Sequence, residues 1–253
     1  MTGVISSLFR HPIKGFTPEK LDRAALSAGA AFPGDRLYAV EDGPSGFDPA
    51  APGFIPKQKF AVLAKIAEVA RARTAFDTDS GTLTATADGL AQFHGKLTEP
   101  AGRAAFEAWL GALLGAAATG PLRVVDGGGH RFLDHPLGHV SIINLASVRD
   151  LEQRLGRPVD PLRFRGNLYV DGWPAWIENT WQGQTLAIGA ARASVFKPIV
   201  RCAATQVDPA SAVRDIDVPA ELFAQYGHVL CGIYVHVTEG ATIAPGDAVG
   251  LAS

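Results

Sequence analysis

The chain has 253 residues, 47% of them hydrophobic, with a formal net charge of −2, enough to bury a sizeable core in one large domain or two smaller ones. A near-neutral balance without a basic run excludes a general binder of nucleic acid or anionic membranes. There is no signal-peptide start and no stretch of about eighteen consecutive apolar residues, so the expectation is a cytoplasmic protein without a membrane partner.

Glycine (28) and proline (17) punctuate short apolar runs, a pattern that predicts many short strands and a few helices. Residues 4–9 are expected as the first strand, closed by His11-Pro12, and residues 36–41 as another, ending in the turn-rich stretch 42–46. Residues 42–56 hold four prolines and three glycines and read as an ordered loop or flap. A strand pair is predicted at 71–76 and 82–87, split by a turn at 77–81. Residues 101–114 form a predicted helix whose core-facing stripe is Ala105, Trp109, Leu110, Leu113 and Leu114. A second helix covers 145–155, with Asn144 as N-cap, a ridge of Val148, Leu151 and Leu155, and Gly156 as its stop. Strands then dominate, at 167–170, 185–188, 193–196, 231–237 and 248–251, with barrel-like spacing. Residues 219–226 interrupt as a short helix with Leu222, Phe223 and Tyr226 on one face and Gly227 ending it.

Cysteine occurs twice, as Cys202 and Cys231, and reduced thiols are expected because disulfide frameworks belong to small secreted chains. Cys202 follows Arg201 and precedes Thr205 and Asp208. Positive charge beside a thiol favours the thiolate, which is both nucleophile and metal ligand; the alternative is a small buried hydrophobe. Arg165 and Asn167, two apart at the start of an expected strand, would project to one face and suit an anion; alternatively Arg165 caps a helix or pairs with Glu178. Glu178 and Trp181 read as packing. The run Gly127-Gly128-Gly129-His130 lacks the ending and the following helix of a phosphate loop, so it reads as a plain loop. His228 and Cys231 could join Cys202 in a zinc site, but the second close pair of ligands that such sites use is missing.

Taken in order, Phe164-Arg165-Gly166-Asn167, Glu178, Trp181, Ile188-Gly189, Arg201-Cys202, Thr205, Val207-Asp208-Pro209, Tyr226-Gly227-His228 and Gly246-Asp247 resemble the MOSC domain, over about residues 130–251. Upstream, residues 11–15 (His-Pro-Ile-Lys-Gly) and 34–40 (Gly-Asp-Arg-Leu-Tyr-Ala-Val) resemble the β-barrel domain that precedes MOSC in the branch of amidoxime-reducing components and bacterial reductases of N-hydroxylated bases. This resemblance implies a mainly β protein with a few helices. A MOSC β-barrel (101–253) would pack against an N-terminal β-barrel-like domain (1–100), with a cofactor in the cleft between.

The resemblance further implies a molybdenum-cofactor-dependent oxidoreductase that reduces small N-hydroxylated substrates, with Cys202 as catalytic molybdenum ligand. Lys14, Arg36, Arg165 and Asn167 would hold the molybdopterin phosphate, and Arg201, Thr205 and Asp208 complete the implied cofactor site. Soft thiolate suits molybdenum, and guanidinium forks suit phosphate. Gly15 replaces a serine common in the reductases, and Gln206 and the Ala210-Ser211-Ala212 continuation also depart from their pattern. Two cysteines cannot ligate an ordinary iron–sulfur cluster, and no flavin or nicotinamide motif is present. Electrons must therefore come from a separate electron-donor protein. Two other functions fit the same residues: a non-redox sulfur carrier using a Cys202 persulfide, or a cofactor-handling protein, and a small-molecule binding protein without catalysis.

Overall fold

The computed structural model of the protein describes residues 2–252 apart from Gly138. In chain order the first strands are β1 (Thr2–Arg10), β2 (Glu19–Leu21), β3 (Ala24–Ala25), β4 (Tyr38–Asp42), β5 (Arg73–Asp77), β6 (Thr82–Thr86), β7 (Phe93–Lys96) and β8 (Leu122–Asp126). The others are β9 (Val140–Asn144), β10 (Leu168–Asp171), β11 (Thr185–Ile188), β12 (Ala191–Val200), β13 (Leu230–Glu239), β14 (Thr242–Ile243) and β15 (Ala248–Leu251). The helices are α1 (Pro100–Leu114), α2 (Leu145–Leu155) and α3 (Val218–Tyr226). The fold is thus mainly β with a few helices, and no helix among the described residues is long and apolar enough to cross a membrane.

Seven strands close into a barrel in the order β10-β9-β13-β12-β11-β15-β1, with β1 returning to pair with β10. Only β9 and β10 run parallel within it, and α2 makes the crossover that a parallel pair requires. The register of β1 slips between Ile5 and Ser7, so Ile5 and Leu8, three apart, both face the barrel interior, as a bulge permits. Every residue of β9 is buried because its two faces meet different cores: Val140 and Ile142 fill the barrel, while Ile143 packs under α2 and α3.

A separate core fills the first module, where β4–β8 and β5-β6-β7 form two small sheets around α1. The expected division at residue 100 does not describe these cores. Phe106, Leu110, Leu113 and Leu114 of α1, and Val124 of β8, lie in the first module's core, whereas β1 belongs to the barrel. The chain also passes back and forth: Ile13 and Phe16 sit in the first core, Ala24, Leu26 and Phe32 in the barrel core, and Tyr38 in the first again. The segments that make these crossings position the site described below.

Two helix faces differ from expectation. Phe106, not Ala105, is the buried residue of the first turns of α1, and Phe223 of α3 is 65% exposed although Leu222 beside it is buried. The α2 termini form as the sequence predicts. The Asn144 side chain accepts from Ala146 N at 3.0 Å, and Gly156 takes the left-handed conformation that ends the helix. Asn144 also donates through Nδ2 to Glu178 Oε2 at 2.8 Å, and Ser147 Oγ donates to Glu178 Oε1 at 2.8 Å. Glu178 is thereby a buried tie between α2 and the turn at Ile177–Thr180, and among the described residues it forms no ion pair with Arg165.

Asn144→Ala removes both the cap and a partner of this buried carboxyl, and should lower the unfolding free energy by about 1–3 kcal/mol, read from the denaturant midpoint. Burial raises the Glu178 pKa above its ordinary 4.5, against the opposing bonds from Asn144 and Ser147. Its contribution to stability is therefore full below the ordinary carboxylate range and declines as pH rises through the folded value. Glu178→Gln should flatten that decline; an unchanged stability-versus-pH curve from mildly acid to neutral pH would contradict this account.

Candidate functional site

Where the two modules meet, a cavity of about 180 Å³ is lined by Arg36, Lys57, Arg165, Arg201 and Cys202 among others. β12 ends at Val200, and Cys202 then serves as N-cap of a short 3-10 turn, Ala203–Gln206. The Cys202 carbonyl accepts from Thr205 N at 3.0 Å and from Thr205 Oγ1 at 2.9 Å. The hydroxyl of Thr205 is thus spent on holding the turn that presents the thiol. Both cysteines are free thiols, Cys202 partly exposed and Cys231 buried.

The charge beside the sulfur is not the one expected from sequence. Arg201 is engaged elsewhere, donating through Nε to Cys231 O at 2.7 Å and through Nη1 to Phe164 O at 2.7 Å, with its guanidinium over the Phe164 ring. It clamps β13 to the turn at Pro161–Phe164. Gly232, at φ +79°, leaves room for this, since a Cβ there would meet Ile142 O at 2.5 Å and the Arg201 Nη2 at 3.1 Å. Lys57 instead donates to Cys202 Sγ at 3.0 Å, from a turn (Lys57–Lys59) at the end of the expected flap. Burial would lower the Lys57 pKa, but Asp134 and the Cys202 sulfur outweigh it and raise the value, so the ammonium keeps its proton.

A deeper recess is lined by Lys14, Arg36, Lys57, Asp134 and Arg165, so the three cations expected to hold phosphate converge on one place. Lys14 Nζ is buried and donates to Phe132 O at 2.9 Å and to Asp134 Oδ1. Burial lowers its pKa, with Asp134 opposing. Arg36, at φ 47°, pairs with Asp35, whose other oxygen accepts from His11 N at 2.6 Å. Arg165 does not begin a strand. It ends the 3-10 turn Pro161–Phe164 in the left-handed region at φ 51°, and its Nη2 is buried without a partner among the described residues. Burial, helped by Arg36, brings its pKa down to about 10. A buried guanidinium nitrogen with nothing to donate to is costly and points to an anionic ligand.

The remaining expected residues serve the frame. Asn167 lines the cavity, but its Oδ1 accepts from Ser141 N at 3.0 Å and Ser141 Oγ at 2.9 Å, and its Nδ2 donates to Phe9 O at 3.2 Å. Its amide ties β1 to β9. Asp208 pairs with buried Arg163 at 2.9 Å and accepts from Ala210 N and Ser211 N, each at most 2.9 Å away, outside the cavity lining. Arg163 also pairs with Asp215 at 2.7 Å. Cys231 lies in the core under α2 and α3, where burial pushes its thiol up to about 12. The described residues contain no group of three or more His, Cys, Asp or Glu side chains placed to hold a metal. Gly127–His130 is a loop after β8 that no helix follows. Lys57 and Asp134 escape a reading of the sequence, since neither sits in a motif and each reaches the site only through the fold.

The MOSC domain family matches residues 130–250, and the MOSC N-terminal beta barrel domain matches residues 2–119. The mitochondrial amidoxime reducing component 2 of Bos taurus is 32% identical over 122 residues, covering 44% of this chain and 36% of that protein. The mitochondrial amidoxime-reducing component 1 of Mus musculus is 31% identical over 85 residues, covering 34% and 24%. The match thus spans about a third or less of these relatives' length. Among solved structures, the YUAD protein from Bacillus subtilis superposes with a TM-score of 0.48 at 13% identity, covering 98% of this chain and 94% of that one.

Because Lys57 Nζ, and not the Arg201 guanidinium, donates to the Cys202 sulfur, Lys57→Met should slow alkylation of Cys202 by iodoacetamide several-fold. Arg201→Met should leave the rate unchanged wherever the fold is retained, and Cys231 should stay unlabelled until the protein unfolds. Slower alkylation in the Arg201 variant alone, with fold confirmed by circular dichroism, would return the arginine to the sulfur.

Proposed function

This chain is a MOSC-domain protein with the MOSC N-terminal β-barrel domain, and from that membership we propose that it is a molybdenum-cofactor-dependent reductase of small N-hydroxylated compounds. The observation that carries the proposal is the meeting of a partly exposed thiol, Cys202, with Lys14, Arg36, Lys57 and Arg165 in adjoining parts of one inter-module cleft. These residues fit the cofactor. A pterin phosphate needs convergent cationic donors and finds an unpartnered one in Arg165 Nη2, and molybdenum takes soft thiolate. When bound, the metal would supply acceptance of the substrate's oxygen and transfer of two electrons.

The protein's own residues supply position and charge. Cys202 would hold the metal, with its turn fixed by Thr205. Lys14, Arg36 and Arg165 would hold the phosphate, and Lys57 keeps a proton on Nζ beside the sulfur. Conversion of an amidoxime to an amidine and water consumes two electrons and two protons; the electrons come from a separate donor protein and the protons from solvent. Similarity to amidoxime-reducing components supports the substrate class. A second reading, a persulfide-based sulfur carrier, is favoured by the Lys57–Cys202 contact, since a partly exposed free thiol beside an ammonium serves sulfur exchange equally well.

Protein made in a host that synthesises the cofactor should contain molybdenum, retain it in Cys231→Ala and lose it in Cys202→Ala. It should convert an amidoxime to the amidine with reduced viologen and give no turnover with NADH alone. Equal loss of molybdenum in the two variants would sink the assignment of Cys202. A molybdenum-loaded protein inert toward several N-hydroxylated substrates, whose Cys202 accepts sulfur from a cysteine desulfurase, would replace the reductase by the sulfur carrier.

A further inference from the structure

Asp134 stands among the cations of the recess and is tied there by one lysine. Its carboxylate accepts a hydrogen bond from Lys14 Nζ and from no backbone N–H among the described residues. Asp35, by contrast, is fully buried and fixed by both His11 N and Arg36. The Asp134 side chain is 45% exposed toward the cleft. It lies in a bend within a stretch without helix or strand, next to Phe132 and Leu133, which are buried and anchor that stretch. Moving its carboxylate therefore breaks one ion pair and leaves the core in place.

The space and the charges make Asp134 a rival of any anion that enters. The recess beside it is small, about 30 Å³, and adjoins the larger cavity of about 180 Å³, which Arg36, Lys57, Asp134 and Arg165 also line but Lys14 does not. An anion seated on Lys14 takes over the ammonium from Asp134, and it also meets Lys57, Arg36 and the unpartnered Nη2 of Arg165. Exchanging one single negative charge for another gains little. A doubly charged group adds an attraction to the remaining cations at short range, where the interaction is strong.

We infer that Asp134 is a built-in competitor that sets the charge selectivity of the recess, so that a dianionic phosphate monoester displaces its carboxylate and a monoanionic phosphate diester does not. The inference rests on the reading of the recess as a phosphate seat and adds to it the form of phosphate admitted: a terminal group rather than one esterified on both sides.

The test is calorimetric titration of the full chain, from a host that makes no pterin cofactor, with methyl phosphate and dimethyl phosphate at pH 8 and low salt. The wild type should bind the monoester more tightly by on the order of tenfold or more. In Asp134→Asn the diester should gain affinity and the ratio should fall below about threefold, while Asp134→Glu keeps the preference. Thermal unfolding checks that each variant is folded. A ratio in Asp134→Asn equal to that of the wild type overturns the inference, as does a wild type that binds neither ester. Molybdenum content of the same variants from a cofactor-producing host separates this from the function proposed above. Molybdenum retained with an unchanged ratio removes the role of Asp134 alone, whereas a collapsed ratio in a protein that never holds molybdenum removes the reductase and leaves the anion recess.

Discussion

Four cationic side chains, Lys14, Arg36, Lys57 and Arg165, are gathered where two hydrophobic cores abut, and burying that much like charge is unfavourable unless negative groups share the space. Asp35 and Asp134 supply part of the balance, and the two carboxylates differ in how firmly they are held. Asp35 belongs to the frame, bonded to backbone and guanidinium. Asp134 hangs on one lysine. Burial would raise its pKa, but Lys14, Lys57 and Arg36 hold it well below the ordinary carboxylate range, so it carries its charge at any working pH. The balance is still incomplete at Arg165, whose buried Nη2 has no partner, and this residual demand for negative charge gives the cleft its chemistry.

The threading of the chain is what makes such a cluster buildable. β1 is a barrel strand, yet within a few residues Ile13 and Lys14 lie against the other module, and the path returns twice more before the barrel is complete. The cluster's residues come from these crossings and from short turns: His11 and Lys14 after β1, Asp35 and Arg36 before β4, Asp134 between β8 and β9. Lys57 comes from the end of the flap, and Arg165 and Cys202 from turns beside the barrel strands. A rigid barrel on one side and a packed α1 sheet layer on the other hold these irregular segments in register, as functional loops on a scaffold are held.

Local chemistry was legible where local physics decides. The α2 helix begins and ends where Asn144 and Gly156 place it, and β11 and β15 occupy the residues that their turn signals bracket. The site was legible only in part, for a geometric reason. Arg201 neighbours Cys202 in sequence, but successive residues of extended backbone point to opposite sides, so the guanidinium went to Cys231 O and the sulfur met Lys57, 145 residues away. Arg165 and Asn167 share a face only in a strand; the left-handed end of a 3-10 turn at Arg165 separates them, leaving one reaching into the recess and the other tied to Ser141. Phe223 completes an apolar stripe on paper and faces solvent, since periodicity fixes a helix's faces without telling how far a neighbour covers them.

The central claim is that cations from both modules and one thiol from the barrel build a single cofactor site. Its most direct test is anomalous diffraction at the molybdenum edge on crystals of protein from a cofactor-producing host. The account predicts an anomalous peak within bonding distance of Cys202 Sγ, and phosphate density touching Lys14, Arg36 and Arg165 with the Asp134 carboxylate turned out of the recess. A molybdenum peak remote from Cys202, or a phosphate seated outside that recess, would contradict it.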